Sequence, residues 1–453
     1  MKAGFGKSDI TPRLGVQLAG YGPYRNRAAT EILAPLHARV MIVEEKRQRV
    51  VLVSLELCGL PRDLDTRIRE VVARKAKCEA HQVMLSVTHT HSAPAVGGME
   101  GWGEADAMYV ETLPARVEAA VVEAMGHREV VEFGWAELPC EGIAVNRETD
   151  SGFALEANFK ERMKATWRPD HPEMTDPTLR VVTVKARGKL VGVIHHFGCH
   201  AVVYGEKTNA IHGDFVGEAS RAIESTHNGV VALFLPGALG DINPKLNHRI
   251  PSESKRALAA ISCQYARIIE RGLKYASPID ATDIGSIRRE VRFTRKPWNR
   301  ALLERQIRKL ERIFAVEGIT DFPHNREKTA MSTNGMEMAR LQGLRKILTE
   351  CRGKRTPNPP VALHGLQIGP LVLLGCGLEP YQQMGRAVLA ELPDRQICLV
   401  SLVGGMGYAT DQAALTRAPY ATEFIPLICG EIPFAKIQHE LPRELIKLAR
   451  RLI

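Results

Sequence analysis

The sequence predicts an α/β fold, with a mixed, largely parallel sheet core, covering helices and a helical insertion near residues 297–355. Three observations lead there. Short apolar runs at 50–55 (VVLVSL), 83–87 (VMLSV) and 230–235 (VVALFL) have the length and β-branched content of buried strands. Stretches with helical spacing separate them, a βαβ rhythm that implies parallel pairing and helices over the sheet. Between Pro297 and about Pro360 the strand pattern stops, and Leu303, Ile307, Leu310 and Phe314 line one face of an otherwise charged helix.

In chain order, Asp9 ahead of Ile10-Thr11-Pro12 reads as a turn or cap. Residues 61–77 are charged with helical spacing, and 108–125 form an amphipathic helix. Val145-Asn146-Arg147 falls in a polar loop region, where context alone makes Arg147 a surface arginine. Residues 179–184 and 190–194 read as a hairpin around Gly188, whose second strand carries His195 and His196 and leads to His200. A helix over 215–225 has Asp214 placed to cap it. The strand at 230–235 opens into PGALGDINPK, and a helix over 252–275 starts on Ser-Glu-Ser capping chemistry. Residues 286–294 alternate like an exposed strand. A second charged helix of the insertion falls between 325 and 352, and a solvated antiparallel helix pair is favoured over a lid, a dimer arm or a membrane-facing hairpin. Strands return at 371–374 and 397–403. Finally Leu441, Leu445, Leu448 and Leu452 share one face among basic residues, a face expected to close the core.

The 453 residues are read as one large domain, 1–453, of ordinary apolar and charged content. No apolar run approaches the length of a membrane span, and MKAGFGKSDITP lacks the apolar core of a secretory signal, so a cytoplasmic location is expected. Nine scattered cysteines without a Cys-x-x-Cys pair fit free thiols and argue against a disulfide framework. The charge of +10 favours anionic partners weakly, and no nucleic-acid motif is present. The oligomeric state stays open.

The chemistry centres on SVTHTHSAPA, residues 86–95, where His89 and His91 sit at the end of a strand. Ligands of α/β sheets collect beyond the carboxyl ends of strands, and neutral imidazole is the commonest protein ligand for zinc. Alone, His-x-His reads as two polar loop residues. Four more strands run into Gly- or Pro-rich loops, however, and their first reactive groups are His200, Asn243, Glu379 and Tyr408. On one rim, two imidazoles, a carboxylate and a phenol make a shell for a divalent metal.

With these motifs in order along the chain, from DITP near residue 9 to Tyr420, the sequence resembles the neutral/alkaline ceramidase family in its N-terminal catalytic domain. The resemblance implies one zinc held by His89, His200, Glu379 and Tyr408, with His91 behind the ligands. It implies that Arg147, in an Asn-Arg motif, and Tyr420 contact the substrate amide. Two departures stand out. Asn243 replaces a serine essential in the family, and the family's further C-terminal β-sandwich domain has no counterpart, which argues against an exported lipid-surface enzyme.

The expected function is thus a zinc-dependent hydrolase that cleaves an amide (N-acyl) bond by a metal-activated water. His91 is the expected general acid or base, Arg147 and Tyr420 hold the substrate or its oxyanion, and Asn243 is a polar contact. One Zn2+ per chain is the expected cofactor. The expected partner is a small-molecule N-acyl substrate, sphingolipid-like or smaller, with no nucleic acid and no integral membrane segment. The alternatives are a metal-dependent ester or phosphoester hydrolase, or an inactive ligand-binding homologue.

Overall fold

The structure, a computed structural model, describes residues 1–22, 27–99, 101–149, 159–318, 333–353 and 355–452. One plan occurs three times along the chain: an antiparallel hairpin, a crossover helix, then a strand parallel to the second hairpin strand. In the first copy, β1 (Lys2–Asp9) flanks the hairpin of β2 (His37–Glu45) and β3 (Gln48–Leu55). Helix α1 (Arg62–Ala76) crosses over, and β4 (Val83–Val87) returns parallel to β3. Helix α2 (Ala107–Gly126) lies so close on β1 that a Cβ at Gly4 would come within 2.1 Å of the Ala124 carbonyl oxygen.

The second copy has β5 (Glu132–Pro139) flanking β6 (Thr178–Ala186) and β7 (Lys189–Phe197), then α3 (Asp214–Thr226) and β8 (Val231–Pro236). Helix α4 (Pro251–Tyr275) follows. In the third copy, β9 (Ile284–Val291) precedes the helix pair α5 (Arg300–Glu317) and α6 (Thr333–Glu350). Then come β10 (Val361–Ile368), β11 (Leu371–Cys376), α7 (Gln382–Ala390) and β12 (Gln396–Val400). Helix α8 (Ile437–Leu452) ends the chain's described structure.

The three sheets turn one face inward onto a shared core, with Met41 and Leu52 from the first, Ile194 and Leu233 from the second, and Leu373 and Val400 from the third. Each outer face is covered by its own helices: α1 and α2, α3 and α4, α7 and α8. A buried Leu or Ile side chain of this kind contributes about 1.5–3 kcal/mol. Leu441, Leu445 and Leu448 of α8 are fully buried in that packing, as their spacing predicts.

The sheets are mixed, but the expectation of largely parallel pairing is corrected. Each large sheet has a single parallel pair, and its other pairings are antiparallel. The cause is local. Lys46-Arg47, Arg187-Gly188 and Gly369-Pro370 are two-residue connections that begin with positive φ, the conformation of tight hairpins. Only the crossovers through α1, α3 and α7 leave room for a parallel return.

Caps differ as well. Helix α4 starts on Ile250 and Pro251 without a side-chain cap, so Ser252 and Ser254 are not its N-cap. Helix α3 starts behind Gly213, and the Asp214 carboxylate accepts the N–H groups of Val203, Tyr204 and Phe215, which ties the loop after His200 to the helix start. In the insertion, Leu303, Ile307, Leu310 and Phe314 are buried against α6 as predicted. The expected start of the second helix, from residue 325, lies outside the described residues. No helix among the described residues is long and apolar enough to cross a membrane.

Candidate active site

The parallel strand pairs end on one rim. Beyond β4 the chain turns sharply at His89, whose φ of 64° is left-handed. A non-glycine residue pays about 1–2 kcal/mol for that conformation. It is held there by N–H bonds from Thr88 to the Leu55 carbonyl (2.8 Å) and from His89 to the Leu57 carbonyl (2.9 Å). His200 follows β7, its N–H on the Ile242 carbonyl at 3.0 Å. Beyond β11, Glu379-Pro380 pairs in parallel with Tyr408-Ala409, so Glu379 and Tyr408 are register partners.

At the centre, Nε2 of His89 and Nε2 of His200 lie 3.4 and 3.3 Å from the same oxygen, Oε2 of Glu379. Both Nδ1–H groups already donate to backbone carbonyls, His89 to Cys58 at 2.6 Å and His200 to Ile242 at 2.9 Å. The two Nε2 atoms therefore present lone pairs to a carboxylate lone pair. All three residues are buried, and neither His200 Nε2 nor Glu379 Oε2 has a hydrogen-bond partner. Three facing acceptors without a donor are costly in a dry site. A proton or a cation relieves them. The donor set and the carbonyl-anchored imidazoles fit a divalent transition metal.

With protons alone the charge is uneven. Burial pushes His89 down, but the Glu379 carboxylate and Cys58 together outweigh it and hold His89 well above the usual histidine range. Burial pushes His200 down to about 4. Burial would raise Glu379, but the histidines, His89 foremost, hold it below the usual carboxylate range.

The other sequence-predicted residues surround this centre. His91 Nε2 is 3.3 Å from His89 Nε2. Its ring lies against the backbone of Gly20 (φ 104°), where a Cβ would come within 2.3 Å of the imidazole Cγ, and Arg27 donates to its carbonyl at 2.9 Å. Gly20 is therefore required by both conformation and space. Tyr408 is buried, with the Arg147 guanidinium 5.1 Å above its ring and the Tyr420 ring 6.3 Å away. Burial pushes the Tyr420 phenol up to about 12.

Arg147 is not a surface residue. Ala144–Asn146 forms a buried strand paired with Ile242–Pro244, so Arg147 emerges half-buried and donates to the Gly240 carbonyl at 2.6 Å. Asn243 faces Val145 in that pairing, with its Oδ1 buried and unpartnered.

The sequence places Asp241 beside Asn243 in the Gly- and Pro-rich turn but assigns it no role. Its carboxylate accepts Asn146 Nδ2 at 2.7 Å and the Gln382 N–H at 2.8 Å, and its carbonyl accepts the Arg147 N–H at 2.9 Å. Burial raises its pKa to about 7. It joins the loop that positions Arg147 to the start of α7. Nothing in Gly-Asp-Ile-Asn announces this, because the partners come from residues 146 and 382. Beside the centre opens a cleft walled by Val96, Met99, Trp102 and Met406, which His89 and Glu379 also line.

Residues 1–272 match the family described as neutral/alkaline non-lysosomal ceramidase, N-terminal. A neutral ceramidase of Pseudomonas aeruginosa is 30% identical over 263 residues, which cover 54% of this chain and 37% of that relative. The chain thus spans little more than a third of the curated relative it matches. The crystal structure of neutral ceramidase from Pseudomonas aeruginosa superposes with a TM-score of 0.73 at 19% identity, over 100% of this chain and 75% of that one. A structure described as ceramidase complexed with C2 gives a TM-score of 0.71 at 18% identity, with the same coverage. These two likenesses show the shared fold, and the match over residues 1–272 shows the kinship: the chain belongs to the neutral/alkaline non-lysosomal ceramidase family.

Proposed function

We propose that the chain is a zinc-dependent hydrolase of an N-acyl amide bond, with one zinc held by His89, His200, Glu379 and Tyr408. The observation that carries this reading is the set of three buried acceptors facing one point, with both imidazoles anchored through Nδ1. Family membership and the name ceramidase borne by the relatives supply the bond type. The apolar cleft supports an acyl substituent beside the metal centre. The whole chain acts as one catalytic unit in the cytoplasm, on a substrate that is sphingolipid-like or a smaller N-acyl amide.

When bound, the cation supplies Lewis acidity and brings the pKa of water towards about 7. His91 Nε2 takes up the proton released by the attacking water and returns it to the leaving amine. Arg147, anchored on the Gly240 carbonyl, and the Tyr420 hydroxyl orient the substrate carbonyl and stabilise its oxyanion. The Asn243 amide stands where the family serine would and donates a hydrogen bond to the substrate. Glu379 and Tyr408 keep their register through the parallel bridge between them.

Elemental analysis with a panel of N-acyl sphingoid amides, short N-acyl amides, carboxyl esters and phosphoesters tests the reading. One zinc per chain and turnover of amides are expected. Turnover of phosphoesters alone, or zinc binding without any turnover, overturns it.

A further inference from the structure

The cleft beside the metal centre has one wall fixed by backbone and one made by a side chain. On the first side, the Ala19 N–H donates to the Ala93 carbonyl at 3.0 Å and the Ala95 N–H to the Gln17 carbonyl at 2.8 Å, which joins residues 17–19 to 93–95. Gly103 packs against them, where a Cβ would come within 2.9 Å of the Ala95 Cβ. On the other side stands Met406, in the turn Gly404-Gly405-Met406-Gly407 that leads to Tyr408. Its Cε fills the slot between the loops that follow β3 and β4. A Cβ at Gly59 would lie 3.1 Å from that methyl, and one at Gly98 would lie 2.9 Å from it. Behind Met406 is a second cavity, between the start of α1, the end of α6 and the Gly377-Leu378 turn, and Met406 lines both spaces.

The two spaces differ in size and in chemistry. The cleft holds about 40 Å³, room for roughly three water-sized groups, and the cavity about 390 Å³. The cleft is walled by Val96, Met99 and Trp102, whereas Arg62, Asp63, Glu350 and Glu431 stand in the wall of the cavity. An alkyl chain that displaced Met406 would therefore run among charges and strip water from them. We propose that Met406 is the specificity-determining residue of this site: it ends the cleft and restricts the acyl group to butyryl or smaller, so the substrate class is short-chain N-acyl amides. That the occupant is an acyl group rests on the hydrolase reading; the depth set by Met406 does not.

Two measurements test this. The first is turnover of a series of N-acyl p-nitroanilides, acetyl to octanoyl, with zinc supplied. The acetyl to butyryl members should show the higher kcat/KM. In Met406→Ala, which joins the two spaces, the octanoyl-to-acetyl ratio of kcat/KM should rise by at least about 10-fold, the discrimination that a single methylene can carry in an apolar pocket. Most of that change should fall in KM, because the chain end is remote from the reacting carbonyl. Met406→Leu keeps the bulk and should keep the parent's ratio. The second is calorimetric titration of the same proteins with acetate, butyrate and octanoate, which needs no turnover. Octanoate should bind Met406→Ala at least about 10-fold more tightly than the parent, and acetate should bind both alike. A parent that prefers octanoyl amides overturns the proposal. So does octanoate that fails to distinguish Met406→Ala from the parent, absence of binding to both included. The parent's own chain-length preference decides even if Met406→Ala does not fold. Absent amide turnover, with octanoate still distinguishing the two proteins, sinks the hydrolase reading alone.

Discussion

Two clusters of buried charge among the described residues are built on opposite rules. Arg39 is 2% exposed and meets Glu56 Oε1 at 2.8 Å and Glu224 Oε1 at 2.7 Å. Lys7 reaches the other Glu224 oxygen at 2.8 Å, and the His37 N–H donates to Glu56 Oε2 at 2.8 Å. Donors match acceptors, so the cluster is closed. Around Glu379 the neighbours are imidazole nitrogens that carry no hydrogen towards it unless a proton is taken up, and Oε2 has no hydrogen-bond partner. The first arrangement ties β2 to α3 and to the end of β3. The second needs something from outside. Burial of charge alone does not mark a site; burial of charge without an internal partner does.

The largest effect is expected where the open cluster is closed artificially. In Glu379→Gln, the side-chain amide can donate to a histidine Nε2. Bound zinc should fall from one per chain to none and amide turnover should vanish. Elemental analysis and the amide assay read this. Retention of one zinc per chain would remove Glu379 from the ligand set.

Breaking the closed cluster should do the reverse. Glu56→Gln leaves the Arg39 guanidinium short of its carboxylate, and losing one partner of a buried pair costs about 3–5 kcal/mol. Urea denaturation should show that loss, and zinc content should stay unchanged. If zinc is lost along with stability, the two clusters are not separable. Next in size is Asn243→Ala, which on the proposed reading removes one donor to the substrate. Turnover should drop by about 10²–10³-fold with zinc retained; an unchanged rate would remove Asn243 from the site.

The clusters should also separate by pH. Burial would raise Glu56, but Arg39 and His37 outweigh it and hold its pKa at about 2, below the ordinary 4.5. A carboxyl depressed in the folded state stabilises above its unfolded pKa. That contribution should be lost as pH falls from about 4.5 towards 2. In Glu56→Gln this acid-dependent loss should shrink; an identical acid profile would show that Glu56 does not set it. The smallest effect belongs far from both clusters. Val316, on α5, is 88% exposed, and Val316→Ser should change stability by no more than about 0.5 kcal/mol. Superposable urea curves check it, and a larger shift would mean that this face of the helix pair has a partner.

Much of the fold was legible because its signals are local. The apolar runs at 83–87, 190–194 and 371–374, each leading towards a Gly- or Pro-rich loop, lie in strands that end at Val87, Phe197 and Cys376. The helical stripe through Leu303 and Phe314 is buried as its spacing demands. Sheet direction was less legible. Of the three tight connections, only Gly188 was read as a hairpin, whereas Lys46-Arg47 and Gly369-Pro370 act through backbone conformation that carries a weaker sequence signal. Val145–Arg147 read as loop because three residues carry too little periodicity to announce a strand.

By itself, then, the sequence determined where strands end and which reactive groups follow them: His89, His200, Asn243, Glu379 and Tyr408. It did so because strand and turn preferences act over a few neighbouring residues. Tertiary structure alone decided what those groups meet. His89 and Glu379 come from different sheets, and only the packing of those sheets on one core brings Nε2 and Oε2 to 3.4 Å. The same packing draws Arg147 in to half-burial, sets the Asp241 carbonyl on its N–H and turns the Cys58 thiol towards His89. It also decides which buried carboxylate finds an arginine and which does not, because hydrogen-bond satisfaction belongs to the assembled neighbourhood and has no local signature in the chain.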